Sequence, residues 1–213
     1  MAVGRAPKSL APSDFLSSPP PEACYKDFVR AFVSPELDQL ALELTVLPPW
    51  RLARTVETSP HRRRILERID FVRRFFPELD GTCIRVGLAK KAGVLGWGSL
   101  DPEHPGIWVR PRRLDYFTIA HELTHLLQAR DLVPRGERSC DLFALARSPL
   151  VVDSLPQYLK TPARVRAAER LEPGWAEILH RMAKAAIDAR VLGRRDYLRG
   201  FERAIEIAFQ ERA

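Results

Sequence analysis

The sequence predicts an α+β fold, on three observations. Strand-like runs gather between residues 82 and 109, helical periodicity dominates on either side of them, and no strand–helix–strand alternation recurs. That order argues against a parallel α/β sheet. A chain of 213 residues, 46 % of them apolar, can bury a core without covalent staples and is not globally disordered.

The elements follow in order. Residues 1–21 are rich in Pro, Ser and Ala, end in Pro19-Pro20-Pro21, and read as a flexible tail. Residues 22–78 read as a helical section. Tyr25, Phe28, Val29 and Phe32 sit at i, i+3, i+4 and i+7 of a helix over 21–33. Ser34-Pro35 is an N-cap with Pro at the first helical position, opening a helix that ends near Val46, before Pro48-Pro49. Ser59-Pro60 repeats the start signal. Ile65, Ile69, Phe71, Val72, Phe75 and Phe76 then form an apolar stripe that stops at Pro77, with Arg62, Arg63, Glu67, Arg73 and Arg74 opposite.

Residues 79–150 read as the core. Asp80-Gly81 turns the chain and Thr82–Val86 alternates as a strand. Lys91-Ala92-Gly93 suggests a hairpin returning through Val94–Leu100, and Ile107-Trp108-Val109 a further short strand. Asp115–Arg130 is the longest helical stretch; Pro134-Arg135-Gly136 breaks it, and Glu137–Arg147 is the next helix. Residues 151–213 form a C-terminal helical section packed on the core. Its helices cover 163–172, 174–192 and 195–212, with breaks at Pro173-Gly174 and Gly193, while Val151–Thr161 favours neither state.

Composition limits the function classes. Thirty-four Lys and Arg against 27 Asp and Glu give a net charge of +7, but the basic residues are dispersed and form no long block. A solvated Arg-rich surface is therefore preferred over a nucleic-acid partner. No 18-residue apolar run suggests a membrane span, and the first 21 residues hold no apolar segment of the signal-peptide kind. Cys24, Cys83 and Cys140 are odd in number and widely spaced, which fits a reducing, cytoplasmic compartment.

The chemistry gathers in Tyr116–Leu127, which contains His121-Glu122-Leu123-Thr124-His125, the H-E-x-x-H pattern. A spacing of four puts both imidazoles on one helix face, where they can share one zinc ion. Glu122 lies beside them, poorly placed as a ligand but able to take a proton from water activated by the metal. Phe117, Ile119, Ala120, Leu123, Leu126 and Leu127 surround the pair with core residues. A third protein ligand is needed, and two acids compete. Asp131 follows His125 by six residues, but the arrangement that uses it needs a glycine where Gln128 stands. Glu137 follows by twelve, at the start of the next helix, in the layout of a gluzincin, and is preferred. Asp141, one turn on, can accept the other ring N–H of a zinc-bound histidine. Cys140 reads as a small core residue.

Phe117-Thr118-Ile119-Ala120-His121-Glu122-Leu123-Thr124-His125, followed by Glu137-Arg138-Ser139-Cys140-Asp141-Leu142-Phe143-Ala144, resembles the ImmA/IrrE family of bacterial zinc metallopeptidases, with Thr124 and Cys140 where that family has Gly and Ala. The resemblance covers about residues 80–150. It implies a zincin-like minimal metallopeptidase core, a small and mostly antiparallel sheet packed on the H-E-x-x-H helix, with N- and C-terminal helices added. It also implies Zn2+ held by His121, His125 and Glu137, Glu122 as general base, a peptide or protein substrate, and an edge strand at Val94–Leu100, carrying Trp97, for the substrate backbone. Tyr158 and His180 are candidates to stabilise the transition state, with Tyr116 and Arg147 behind them. The competing readings are a non-catalytic or regulatory zinc protein and a basic protein associated with nucleic acid.

Overall fold

The computed structural model describes residues 49–89, 96–162, 171 and 174–211, all within the unit Leu47–Ala213. The tail over 1–21, both helices over 21–46, the turn at Lys91-Ala92-Gly93 and all but one residue of the helix over 163–172 lie outside them. The elements are β1 (Trp50–Leu52), α1 (Arg54–Glu57), α2 (Arg62–Arg73), β2 (Ile84–Leu88), β3 (Gly96–Gly98), β4 (Gly106–Val109), α3 (Tyr116–Ala129), α4 (Glu137–Leu145), α5 (Trp175–Val191) and α6 (Tyr197–Glu211). The fold is α+β, as expected, with a four-stranded sheet in the order β1-β2-β4-β3.

Two expectations about that sheet are corrected. It is mixed rather than mostly antiparallel: β1–β2 and β2–β4 are parallel, and β3–β4 alone is antiparallel. A parallel pair needs a crossover, and α1 and α2 supply it between β1 and β2. Strand β1 gave no periodic signal because it is three residues long and follows Pro48-Pro49 directly. Its tertiary contacts hold it. The Trp50 indole N–H donates to Asp70 on α2, and the Arg73 guanidinium lies 5.0 Å from the Trp50 ring centre. The second correction is the hairpin, which joins β3 to β4 and not to β2. Ile107 and Val109 of β4 bring two fully buried side chains to the sheet's inner face, so β4 suits a central position. Gly96-Trp97-Gly98 brings none and sits at the edge.

The inner face packs Trp50, Ile84, Val86, Ile107 and Val109 against helices. Ile65, Ile69 and Val72 of α2 are fully buried, as their periodicity predicts. Helix α3 is buried from Phe117 through Gln128, enclosed by α2, α4 and the β3–β4 side of the sheet. Helix α5 packs on α4 and α6, and Trp175 stacks on Phe209 between α5 and α6. No helix among the described residues is long and apolar enough to cross a membrane.

Candidate metal centre

The site is assembled on two successive helices. Helix α3 starts at Asp115, whose own side chain makes no capping bond. Asp153, from the loop after α4, accepts instead from the backbone N–H groups of Tyr116 and Phe117, both at 2.9 Å. After Ala129 the chain turns through Asp131 in the left-handed region (φ 55°), and Gly136 (φ 106°) leads into α4. A side chain would be strained at Gly136, so glycine there is part of how Glu137 becomes the first residue of α4.

This puts His121, His125 and Glu137 together. The His121 and His125 rings lie 4.9 Å apart. Glu137 Oε2 is 3.1 Å from His121 Nε2 and 3.4 Å from His125 Nε2. The outer nitrogen of each ring has its own acceptor. His121 Nδ1 is 2.8 Å from Asp141 Oδ1, and His125 Nδ1 is 2.9 Å from Gln128 Oε1. Gln128 is held with its oxygen toward His125, because its amide N–H groups donate to the carbonyls of Pro134 (2.6 Å) and Gly136 (3.0 Å). Asp141 is fixed by the N–H groups of Tyr158 (2.6 Å) and Leu159 (3.2 Å), both donating to Oδ2. Both rings therefore carry their proton on Nδ1 and turn an Nε2 lone pair inward.

Three acceptors, two imidazole nitrogens and a carboxylate oxygen, thus converge on one point. Without a cation they repel, and a proton relieves this. Burial by itself would depress His121, but the hydrogen bonds to Asp141 and Glu137 outweigh it and raise its pKa to about 9. Glu137 is pulled below the usual carboxylate range by its bond to His121. Burial, then the charge on His121, lowers His125. A tetrahedral zinc site separates neighbouring N and O ligand atoms by about 3.3 Å, and the distances from Glu137 Oε2 to the two histidine nitrogens, 3.1 and 3.4 Å, bracket that value. The residues fit a metal ion.

A second grouping, His121, His125 and Cys140, also brings ligand atoms within 4.8 Å of one another. Chemistry disfavours it. Cys140 Sγ lies 3.2 Å from His125 Nδ1, the nitrogen already committed to Gln128 and on the ring side away from Glu137. Burial, then the neighbouring carboxylates, pushes its thiol pKa up, so the thiolate that a metal requires is unfavourable there.

Glu122 is buried beside the pair, and its Oε2 has no hydrogen-bond partner among the described residues. Burial, reinforced by Glu137 and Asp141, raises its pKa to about 7 against the pull of His121, with a bond from the Gly98 backbone among the opposing influences. Strand β3 makes room for it. A Cβ on Gly96 would fall 2.7 Å from Glu122 Cγ, and one on Gly98 would fall 2.6 Å from the Glu122 carbonyl oxygen.

The other predicted residues divide. Tyr158 is at the centre, its ring stacked on His121 with centroids 5.6 Å apart, and burial above all raises its hydroxyl pKa. His180 is not: its Nδ1 donates to the carbonyl of Leu145, at the opposite end of α4 from Glu137. Asp131 is exposed and faces Arg135 at 3.4 Å. Tyr116 packs on Phe71 beneath Arg68, and Arg147 is bound by Glu78, so both serve packing. Trp97 points away from the centre. Sequence reasoning noted Gln128 only as the absence of a glycine and passed over Gly96 and Gly98. The spacing of Gln128, i+3 from His125 on one helix, was the available signal for the first. No family model, curated protein or solved structure matches this chain.

Proposed function

We propose that the protein is a zinc-dependent peptidase of the gluzincin type, similar to the ImmA/IrrE family, acting on protein or peptide substrates in a reducing compartment. The observation that carries this reading is the convergence of His121 Nε2, His125 Nε2 and Glu137 Oε2 beside a buried carboxylate with one unengaged oxygen. Bound zinc would supply Lewis acidity toward a peptide carbonyl and toward water at neutral pH. Asp141 and Gln128 keep both imidazoles in the tautomer that offers Nε2. Glu122, with a pKa near neutrality, takes a proton at Oε2 and returns it to the leaving amine. Gly96 lies against the Oε1 side of this carboxylate and Gly98 near Oε2, so strand β3 backs the whole group.

Two variants test this. Protein purified without added metal is expected to hold about one zinc per chain, lost in Glu137→Ala. Glu122→Gln is expected to keep the zinc and to lose at least ~100-fold in cleavage of an unfolded protein substrate, followed by mass spectrometry. Zinc retained in Glu137→Ala would overturn the ligand set. Cleavage unchanged in Glu122→Gln would overturn the base. Zinc without cleavage in the wild type would make this a regulatory metal protein.

A further inference from the structure

The outer face of the sheet carries chemistry that the metal centre does not use. Each strand contributes one residue to a band across it: Arg51 from β1, Arg85 from β2, Trp108 from β4 and Trp97 from β3. Arg51 is the register partner of Arg85, and Trp97 of Trp108. Trp108 is opposite Gly87, two residues beyond Arg85, so the guanidinium pair and the indole pair are offset by about 7 Å along the strands.

Glycines let the Trp108 indole lie against the sheet. A Cβ on Gly106 would come 2.9 Å from its Cη2, and one on Gly87 3.3 Å from its Cγ. Trp97 leans on it, with centroids 4.4 Å apart and planes at 41°, yet remains 57 % exposed. Arg51 and Arg85 are exposed, and neither has a carboxylate partner among the described residues. A cavity of about 340 Å3 opens between Arg51, Arg85 and Trp108, with Ser99, Glu103 and His104 on its rim.

Exposing a large indole gives up burial that an edge strand could take in other ways, and two contiguous indoles, tilted at 41°, beside two guanidiniums with no carboxylate partner among the described residues suit a ligand that alternates planar and anionic groups. We propose that this face binds single-stranded nucleic acid, with bases stacked on Trp97 and Trp108 and phosphates on Arg51 and Arg85. A duplex hides the faces of its bases from such a platform, and an acidic peptide would engage the arginines but leave the indoles unused.

The test is fluorescence anisotropy of a labelled oligo-dT of about twenty nucleotides with the full chain, at low salt and then at rising salt. Saturable binding is expected, weaker for a duplex of equal length. Trp97→Ala should weaken it about tenfold, and Trp97→Phe, which keeps a stacking ring, should retain most of it. The double variant Arg51→Ala, Arg85→Ala should reduce the slope of log affinity against log salt by about 1.4. Should Trp97→Ala fail to fold by circular dichroism, the Phe and double-Ala variants carry the decision. No saturable binding at low salt, duplex bound as tightly as single strand, or affinity and slope unchanged in the variants would overturn the proposal. Displacement by polyglutamate as effective as by oligo-dT would overturn it in favour of an acidic polypeptide.

Discussion

On its inner side β3 presents Gly96 and Gly98 to Glu122 and His125; on its outer side Trp97 stands 57 % exposed on Trp108. The inner surface works by lacking side chains. Its neighbours across the gap are immobilised: Asp141 by two backbone N–H groups, Gln128 by two carbonyls, and each histidine by one of them. The outer surface works by having side chains, and its guanidiniums are uncommitted. Three residues of one strand thus separate a preorganised centre, suited to chemistry, from an adaptable platform, suited to contact.

The sharpest way to break this contrast is to add a methyl group to the inner side. At Gly98 a Cβ would meet the Glu122 carbonyl oxygen at 2.6 Å and His125 Cβ at 2.7 Å, atoms that cannot retreat without moving α3. Gly98→Ala is expected to destabilise the fold by about 3 kcal/mol in urea denaturation. At Gly96 the nearest obstruction is the Glu122 side chain rather than backbone. Gly96→Ala should therefore change stability by less than ~1 kcal/mol, while displacing the carboxylate and lowering cleavage at least ~100-fold. Equal stability losses in the two variants would mean that β3 is free to shift away from α3.

How much of this could be read from the chain alone depended on whether the signal was local. His121, Glu122, His125, Glu137 and Asp141 were legible because helical spacing fixes which residues share a face, and the Pro134-Gly136 break forces a second helix. The two parallel pairings were not, since they depend on which strands meet across the sheet. Nor was the placement of Asp153 at the start of α3, 37 residues distant from Tyr116. Gln128 drew notice as the absence of a glycine, whereas its amide is what orients His125. The glycines of β3 have no side chain to form a pattern, so their role appears only against Glu122.

A smaller effect tests the electrostatics of the inner side, in protein stripped of metal by a chelator. Folded Glu122 holds its proton up to about pH 7 against an ordinary value of 4.5, so it makes stability fall as pH rises through that window. His121, raised from 6.5 to about 9, contributes stability that is present below pH 6.5 and lost on the way to pH 9. His125 is depressed below 6.5 and acts in the opposite sense, adding stability as pH rises toward that value. Below about pH 6.5 Glu122 and His125 therefore oppose each other, so wild-type Tm should change less steeply there than in its decline from pH 6.5 to 9. In Glu122→Gln the first limb should turn into a rise, with the decline above pH 6.5 kept. Trp97→Ala, on the outer side, should reproduce the wild-type profile. A wild-type Tm that climbs steadily from pH 6.5 to 9 would contradict the arrangement of acceptors around His121.

The smallest expected effect concerns how the start of α3 is held. Asp153 accepts from two N–H groups that have no partner within the helix, and its negative charge faces the positive end of the helix dipole. Asp115, next to it, makes no capping bond; burial first, and then the charge of Asp153, raises its pKa. Asp153→Ala should therefore remove a cap while relieving Asp115, for a net loss of about 1 kcal/mol in urea denaturation. Asp153→Asn, which keeps one acceptor oxygen, should lose less. Because the cap engages only the backbone N–H groups of Tyr116 and Phe117 and touches neither zinc-ligand histidine, zinc content should not change. A loss of zinc in Asp153→Ala would mean that the loop after α4, which also places Tyr158 and Leu159 on Asp141, is held as one piece by this single carboxylate.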